Sequence, residues 1–303
     1  MHNKYKQYRV ISSVNKVYPS IFFLFVLAGS AVFSGSFVSS VAAQSSKIVT
    51  NVTELTRLDL SNESVDLQNK TVNYYDQASG YLVYPTTQNK NNGEYNSTKL
   101  PGVVMIHENK GLNDNIKNMA NLLARSGYVV LAVDLFKGEV STDRNRSSEL
   151  TQYVRDNQNT ATGNLKSAVK YLTLLPNVDS DKIVSIGWCF GGGQSLTLAL
   201  NSQDHPLSAT IIYYGRLVTD NATLAKIKWP VLGIFGDQDK SIPVDSVKSF
   251  ESGLNSNGIP NEIHIYKGVG HAFANPSGDN YAPNETKDAW DRTLSFLDKY
   301  LNM

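Results

Sequence analysis

One stretch of the chain, residues 183–193, constrains the fold more than any other. It reads Ile-Val-Ser-Ile-Gly-Trp-Cys-Phe-Gly-Gly-Gly, and an apolar run with helical periodicity follows it to Leu200. β-forming residues lead into Gly187 and Cys189 follows, so the pattern predicts a strand, a tight turn and a helix. Such a turn would hold the thiol above the end of the strand, at the positive end of a helix dipole that favours thiolate. A structural cysteine at a glycine-rich turn is the alternative that this stretch leaves open.

Strands and helices alternate along most of the rest of the chain. Apolar runs typical of buried strands begin near residues 103, 128, 209, 231 and 262. Helix-periodic runs occupy residues 114–127, 161–175, 221–227, 244–254 and 288–301. This alternation predicts an α/β fold in which a mostly parallel sheet carries helices on both faces. A pair of strands or a hairpin is expected at residues 72–84.

The size and composition are those of a globular protein with a sizeable core. The chain has 303 residues, of which 41% are hydrophobic and 18% are charged. Since no internal repeat is visible, one catalytic domain over residues 72–303 is the simplest interpretation. The net charge of +1 gives no electrostatic reason to expect nucleic acid as a partner. The single cysteine rules out an intramolecular disulfide and a cysteine-based metal site.

The first 43 residues are predicted to be a targeting segment outside the fold. A basic start precedes the uncharged apolar run 21–33, and Val41-Ala42-Ala43 fits a small-residue cleavage site. Export followed by cleavage is the expectation, and a membrane anchor formed by residues 21–43 is the alternative. Residues 44–71 are polar and are predicted to be a flexible lead-in to the domain.

Polar residues that could carry chemistry follow three of the predicted strands. They are Cys189, Asp239 and His271, and loops at the carboxyl ends of parallel strands lie at one edge of a sheet. The order nucleophile, acid, histidine and the sequence Gly-x-Cys-x-Gly resemble the triad and nucleophile elbow of α/β-hydrolases. Asp237 competes for the acid role, but Gly-Asp directly after a strand is a turn signal, so Asp239 is favoured. Taken singly, Asp239 could be a turn-former and His271 an ordinary loop histidine.

A fourth loop carries Glu108, two residues beyond the strand at residues 103–106, and spacing alone does not exclude an exposed loop carboxylate. The resemblance becomes more specific when all four loops are taken together. The chain resembles the dienelactone hydrolase family over about residues 72–301, through Glu108-x-x-Gly111, Gly187-Trp188-Cys189-Phe190-Gly191-Gly192, Asp239 in a Gly-x-x-Asp loop, and Gly270-His271-x-Phe273.

The resemblance implies a role for each matching residue. Cys189 would be the nucleophile, His271 the base, Asp239 the residue that orients it, and Glu108 a carboxylate that helps to generate thiolate when substrate is bound. The backbone N–H groups of Phe190 and Asn109 would form the oxyanion hole. We expect Trp188 and Phe273 to contact the substrate. The chemistry needs no metal and no organic cofactor, and His107-Glu108 lacks the second histidine of a zinc helix motif.

The sequence departs from the family where a substrate carboxylate would be held. The family has an arginine shortly after the catalytic histidine, whereas Asn275 lies in this region here. Arg144 and Arg146 lie where a second arginine could come from, although solvated charges on a polar loop are an equal interpretation. Recognition of a lactone carboxylate is therefore less well supported than ester or lactone hydrolysis itself.

Three functions follow from these patterns. The leading prediction is an exported hydrolase that cleaves a small ester or lactone through a Cys-His-Asp triad and a thioester acyl-enzyme. The second is a broad-specificity carboxylesterase, favoured by Asn275. The third is a binding protein or thiol redox protein that uses Cys189 without acyl transfer. A small-molecule substrate and a monomeric protein are expected, with a membrane involved only if the N-terminal segment is retained.

Overall fold

A computed structural model describes residues 65–86 and 99–301 of the chain. Within these residues, eight strands form a single sheet and seven helices pack against it. The strands are β1 (Leu67–Tyr75), β2 (Ala78–Pro85), β3 (Leu100–Ile106), β4 (Val129–Val133), β5 (Val178–Trp188), β6 (Ala209–Tyr213), β7 (Val231–Gly236) and β8 (Asn261–Tyr266). The helices are α1 (Asp114–Arg125), α2 (Arg144–Asp156), α3 (Gln158–Thr173), α4 (Phe190–Ala199), α5 (Asn221–Leu224), α6 (Val244–Ser256) and α7 (Pro283–Leu301).

The strand order across the sheet is β1-β2-β4-β3-β5-β6-β7-β8. The hairpin β1–β2 is antiparallel and β2 pairs antiparallel with β4, whereas every later pair is parallel. Because β3 to β8 run in one direction, the loops that follow them meet at one carboxyl edge. The predicted mostly parallel sheet is therefore confirmed, and so is the hairpin.

Helices cover both faces of the sheet, and each face has its own core. On one face, α2, α3, α4 and α6 contribute apolar side chains such as Leu165, Leu196 and Phe250. On the other face, α1 and α7 contribute residues such as Leu123 and Phe296. The central strands are buried on both sides, which explains their continuous apolar runs in the sequence.

Several element boundaries differ from the predicted ones. The lead-in expected over residues 44–71 extends too far, because β1 already begins at Leu67 and pairs with β2 up to Pro85. Polar residues there misled the prediction, since a strand at the edge of a sheet exposes much of its surface to solvent. The N-cap of α1 is Asn113, whose side chain accepts a hydrogen bond from Ile116 N–H, and Asp114 is the first helical residue.

The predicted targeting segment, residues 1–43, lies outside the described residues, as does most of the predicted lead-in. Among the helices of residues 65–86 and 99–301, none is long and apolar enough to span a membrane.

Candidate active site

The stretch around Cys189 forms a strained turn between β5 and α4. Cys189 has φ 55° and ψ −116°, a conformation in the left-handed half of φ space that costs a non-glycine residue about 1–3 kcal/mol. The turn is possible because a Cβ on Gly187 would collide with the backbone of Gly191, and a Cβ on Gly191 with the carbonyl of Ile106. These two glycines let the helix approach its own strand and β3, so that the thiol lies at the carboxyl edge.

Three side chains from three loops form a continuous hydrogen-bonded chain at this edge. His271 Nε2 lies 3.0 Å from Cys189 Sγ, and His271 Nδ1 lies 2.7 Å from Asp239 Oδ2. Asp239 is buried, whereas the side chain of His271 keeps 28% of its surface exposed. The residues predicted as nucleophile, base and acid therefore lie together in the order that proton transfer from the thiol requires.

The electrostatic environment favours a protonated His271. Burial by itself would lower the pKa of this imidazole, but the hydrogen bonds with Asp239 and Cys189 outweigh burial and raise the pKa to about 10. A proton on the imidazole is compatible with a thiolate on Cys189. Since α4 begins at Phe190, the positive end of its dipole also faces the sulfur.

The two candidate acids, Asp239 and Asp237, have different positions. Asp239 contacts His271, and its other oxygen accepts hydrogen bonds from the N–H groups of Ser241 and Ile242, at 2.7 and 3.1 Å. Asp237 accepts a hydrogen bond from Gly268 N–H at 2.7 Å and so shapes the neighbouring loop. The structure therefore places Asp239, not Asp237, against His271.

Glu108 lies in the same region, buried, at the start of the loop that follows β3. Its carboxyl accepts a hydrogen bond of 2.5 Å from Asn275 Nδ2. Asn275 Oδ1 in turn accepts hydrogen bonds from Ser277 N–H and Oγ–H, which fixes the amide so that only its NH₂ group faces Glu108. Burial raises the pKa of Glu108 to about 7, against the lowering effects of Lys110, His271 and Asn275. The Glu108 carboxyl is therefore hydrogen-bonded to Asn275 in the structure.

The two predicted oxyanion donors come from loops that touch. Phe190 is the first residue of α4, so its N–H is among those that have no acceptor within the helix. Asn109 follows Glu108 and is exposed. The close approach of Gly191 to the backbone of Ile106 and His107 brings these two loops to the same end of β3 and β5.

Two predicted substrate contacts are wrong. Trp188 is 3% exposed and packs against Tyr213, and Phe273 is completely buried against Tyr214 and Tyr266. Neither side chain has surface to offer a substrate. Both belong to the hydrophobic core beneath the site, Trp188 as the last residue of β5 and Phe273 in the loop that follows β8.

One residue not singled out in the sequence, Tyr214, and one contact that was not predicted, between Asn275 and Glu108, also belong to this site. Tyr214 follows β6, is fully buried, and packs its ring edge to face against His271, with ring centroids 5.3 Å apart. Its φ of 37° is a second strained backbone angle at this edge. The rule that functional loops follow parallel strands could have identified Tyr214. The contact between Asn275 and Glu108 joins residues 167 positions apart, so no pattern of neighbouring residues predicts it.

Two observations concern the binding of charged ligands. No cluster of three or more histidine, cysteine, aspartate or glutamate side chains in residues 65–86 and 99–301 could hold a metal ion. Arg146 is paired with Glu139, through contacts of 2.6 and 2.8 Å, and with Glu149 at 2.8 Å. Its charge is therefore already neutralised by neighbouring carboxylates.

The chain matches the family model described as "Dienelactone hydrolase family" over residues 90–301. Among named proteins, it is 32% identical over 235 residues to the "Putative carboxymethylenebutenolidase" of Saccharolobus solfataricus, a match that covers 64% of this chain and 88% of that protein. It is 28% identical over 210 residues to the "Probable 2-oxo-3-(5-oxofuran-2-ylidene)propanoate lactonase" of a Bradyrhizobium species, covering 66% of this chain and 84% of the relative.

The fold is shared with solved structures. A dienelactone hydrolase-like promiscuous phosphotriesterase from metagenomic libraries superposes with a TM-score of 0.68 at 23% identity, over 78% of this chain and 99% of that one. At this level of identity the likeness concerns the fold alone. The predicted α/β-hydrolase fold is confirmed by it.

Proposed function

The chain belongs to the dienelactone hydrolase family and is a hydrolase, and we propose that it cleaves a small ester or lactone through a thioester on Cys189. The observation that carries this proposal is the chain of contacts from Cys189 Sγ through His271 to Asp239, at 3.0 and 2.7 Å. A thiol that only fills a glycine-rich turn would need neither the imidazole nor the buried carboxylate behind it.

In the first step of the proposed reaction, the Cys189 thiolate attacks the carbonyl carbon of the substrate. The carbonyl π electrons move to oxygen, and the N–H groups of Phe190 and Asn109 stabilise the oxyanion. When the tetrahedral intermediate collapses, the C–O bond to the leaving group breaks. His271 donates its Nε2 proton to the departing oxygen, and a thioester remains on the sulfur.

Water completes the reaction by hydrolysing the thioester. Neutral His271 takes a proton from water, and the resulting hydroxide attacks the thioester carbonyl. The C–S bond then breaks and releases the carboxylic acid. Cys189 returns as thiolate and His271 as imidazolium, so the resting pair is restored without any external acid or base. Asp239 supports both steps, because its hydrogen bond to Nδ1 keeps Nε2 directed at the sulfur.

Glu108 supplies a second buried carboxyl near this pair. We assign its ionised form the role of stabilising the His271 imidazolium, and with it the Cys189 thiolate, by charge. Two observations favour this role: burial raises the pKa of Glu108 to about 7, and its charge interacts with that of His271. Asn275 holds the carboxyl by a neutral amide and adds no positive charge.

The neutral side-chain amide of Asn275 favours a substrate whose acyl part is uncharged. Asn275 directs its NH₂ group at Glu108, and Arg146 is neutralised by Glu139 and Glu149. A broad carboxylesterase activity is therefore the second candidate function within the same chemistry. At position 275 a substrate carboxylate would find a neutral amide in place of the arginine of the family pattern.

The test compares hydrolysis of dienelactone with hydrolysis of a short aryl ester such as p-nitrophenyl acetate, using the purified protein and its Cys189→Ala variant. Turnover of the aryl ester that is lost in the variant supports the Cys189 mechanism. A higher kcat/KM for the neutral ester than for dienelactone supports the uncharged acyl group. Equal turnover by wild type and variant would contradict the acyl-enzyme, whatever the substrate.

We also propose that residues 1–43 direct export of the protein. The proposal rests on the basic start, the apolar run 21–33 and the small residues before Gln44. Mass spectrometry of the protein from its native cells provides the test. A mature N-terminus at or near Gln44 supports cleavage, whereas an intact N-terminus on protein that is extracted only by detergent supports an anchor.

A further inference from the structure

His107 is a buried histidine beside the active site that the proposed mechanism does not use. Its exposed fraction is zero, and both ring nitrogens make hydrogen bonds. Nδ1 lies 2.6 Å from the carbonyl oxygen of Glu108, and Nε2 lies 3.1 Å from the backbone N of Leu135. A carbonyl can only accept and an amide N–H can only donate. His107 must therefore be the neutral tautomer with its proton on Nδ1.

The surroundings of the ring maintain this neutral form. The imidazole packs against Phe136 and Phe190, with ring centroids 4.6 and 5.9 Å away. Burial lowers the pKa of His107, although the hydrogen bond to Glu108 and the charge of Asp134 act in the opposite direction. Two aromatic rings and two hydrogen bonds leave the side chain no room to rotate, so the ring forms a rigid link between the ends of β3 and β4.

The group that His107 holds is one half of a peptide bond. The Glu108 carbonyl shares its planar peptide unit with the N–H of Asn109, and in a trans peptide the two point in opposite directions. A hydrogen bond that fixes the carbonyl therefore fixes the N–H as well. It also polarises the peptide, which makes that N–H a better donor.

We propose that His107 is a positioning residue for hydrolysis: its Nδ1–H holds the Glu108–Asn109 peptide so that Asn109 N–H is aligned as an oxyanion donor. The inference rests on the proposed function, since that N–H has a catalytic task only if an oxyanion forms on the substrate. His107 itself touches no substrate in this scheme. It acts through the peptide, and its own protonation state does not change during turnover.

Two conservative variants separate the two hydrogen bonds of the ring. His107→Asn keeps a donor at the position of Nδ1 and loses the acceptor for Leu135 N–H. His107→Gln keeps an acceptor at the position of Nε2 and loses the donor to Glu108. Removal of a whole oxyanion donor costs about 10²–10³ in kcat. Misalignment of a donor that is still present should reduce kcat less than its removal does. We therefore expect His107→Gln to lower kcat about tenfold and to leave KM little changed.

His107→Asn should retain a clearly higher kcat than His107→Gln. Each variant loses one buried hydrogen bond, so the two should be destabilised to a comparable extent. Thr210→Val serves as the control for stability alone, because Thr210 lies at the opposite end of the sheet from the cleft. Equal kcat in the two His107 variants would overturn the proposal, as would a loss of kcat in Thr210→Val that matches theirs.

A readout that needs no turnover distinguishes this inference from the proposed function. The ¹⁵N shift of the Asn109 amide should move in His107→Gln and stay near the wild-type value in His107→Asn. An unchanged shift in both variants would refute the proposal even in an active esterase. A wild-type protein that hydrolyses no ester would refute the proposed function, and with it the catalytic task of Asn109, while the shift would still test the alignment of the peptide.

Discussion

Two of the clusters of polar groups along this sheet differ in almost every physical respect. The first, which we call the catalytic cluster after its proposed role, is at the carboxyl edge and comprises Cys189, His271, Asp239, Glu108 and Asn275. It contains ionisable groups, including an imidazole and a carboxyl whose pKa values are raised to about 10 and about 7. It includes a strained residue, Cys189, and it opens to solvent at His271.

The second, the hydroxyl cluster, comprises Ser185, Ser195, Thr210 and Trp229. Ser195 hydrogen-bonds Ser185 at 2.9 Å, Ser185 lies 3.3 Å from Thr210, and Trp229 Nε1 donates to Thr210 at 2.9 Å. All four side chains are buried and electrically neutral. Its hydrogen bonds are satisfied internally and join α4 to β5 and β6.

Burial of polar groups is thus common to a structural cluster and to a reactive one. The catalytic cluster differs in combining charge, backbone strain and an open side, each of which costs stability that the surrounding core must supply. Substitutions in the two clusters should therefore differ in whether they mainly affect turnover or mainly affect stability. Those in the catalytic cluster should reduce turnover more than stability, and those in the hydroxyl cluster should do the reverse.

The largest effect is expected for His271→Ala. Loss of the base should reduce kcat/KM for an aryl ester by about 10³-fold or more, because both proton transfers depend on Nε2. Alkylation of Cys189 by iodoacetamide at pH 7 should also slow, since the imidazolium that stabilises thiolate is gone. Thermal unfolding should change by only a few degrees. An alkylation rate equal to that of the wild type would contradict the ion pair.

A smaller loss, about 10²-fold, is expected for Asp239→Asn. The hydrogen bond with Asp239 is the largest factor that raises the pKa of His271 to about 10. In the wild type, kcat/KM should fall as the pH rises through about 10, where the imidazolium loses its proton. In the variant this descending limb should move to lower pH. A pH profile of both proteins provides the measurement, and an unmoved limb would argue against Asp239 as the partner of His271 in solution.

Glu108→Gln should lower kcat/KM by about tenfold at pH 8 and change the shape of the acidic limb. Because the pKa of Glu108 is about 7 and its ionised carboxyl is proposed to stabilise the imidazolium–thiolate pair, wild-type kcat/KM should rise as the pH passes through about 7. The variant has no carboxyl to ionise, so this inflection should disappear. If the inflection persists in Glu108→Gln, another group is responsible for it.

The smallest effect on turnover is expected in the hydroxyl cluster. Thr210→Val removes the acceptor of Trp229 Nε1–H and should lower the free energy of unfolding by about 1–3 kcal/mol, because a buried donor is left unpaired. Its kcat and KM should equal those of the wild type. Urea unfolding and ester hydrolysis measured on the same preparation test both statements. A large loss of kcat without a loss of stability would contradict the proposed difference between the two clusters.

Most of the fold could be read from local patterns. Continuous apolar runs marked the strands that are buried on both faces, and residues 183–193 marked the turn that carries Cys189. The start of β1 was not predicted, because its exposed polar residues lack the apolar alternation of a strand. The burial of Trp188 and Phe273 was not predicted either, because each lies close in sequence to a residue of the site.

The sequence by itself determined the order of the reactive residues along the chain and the glycines that make the Cys189 turn possible, because both are encoded within a few neighbouring positions. Only the tertiary structure decided which of these residues contact one another. The contacts from His271 to Asp239 and to Cys189 join residues 32 and 82 positions apart, and that from Asn275 to Glu108 spans 167 positions. Shifts in pKa arise from burial and from such distant neighbours, and it is the packing of the sheet and its helices that brings these neighbours together.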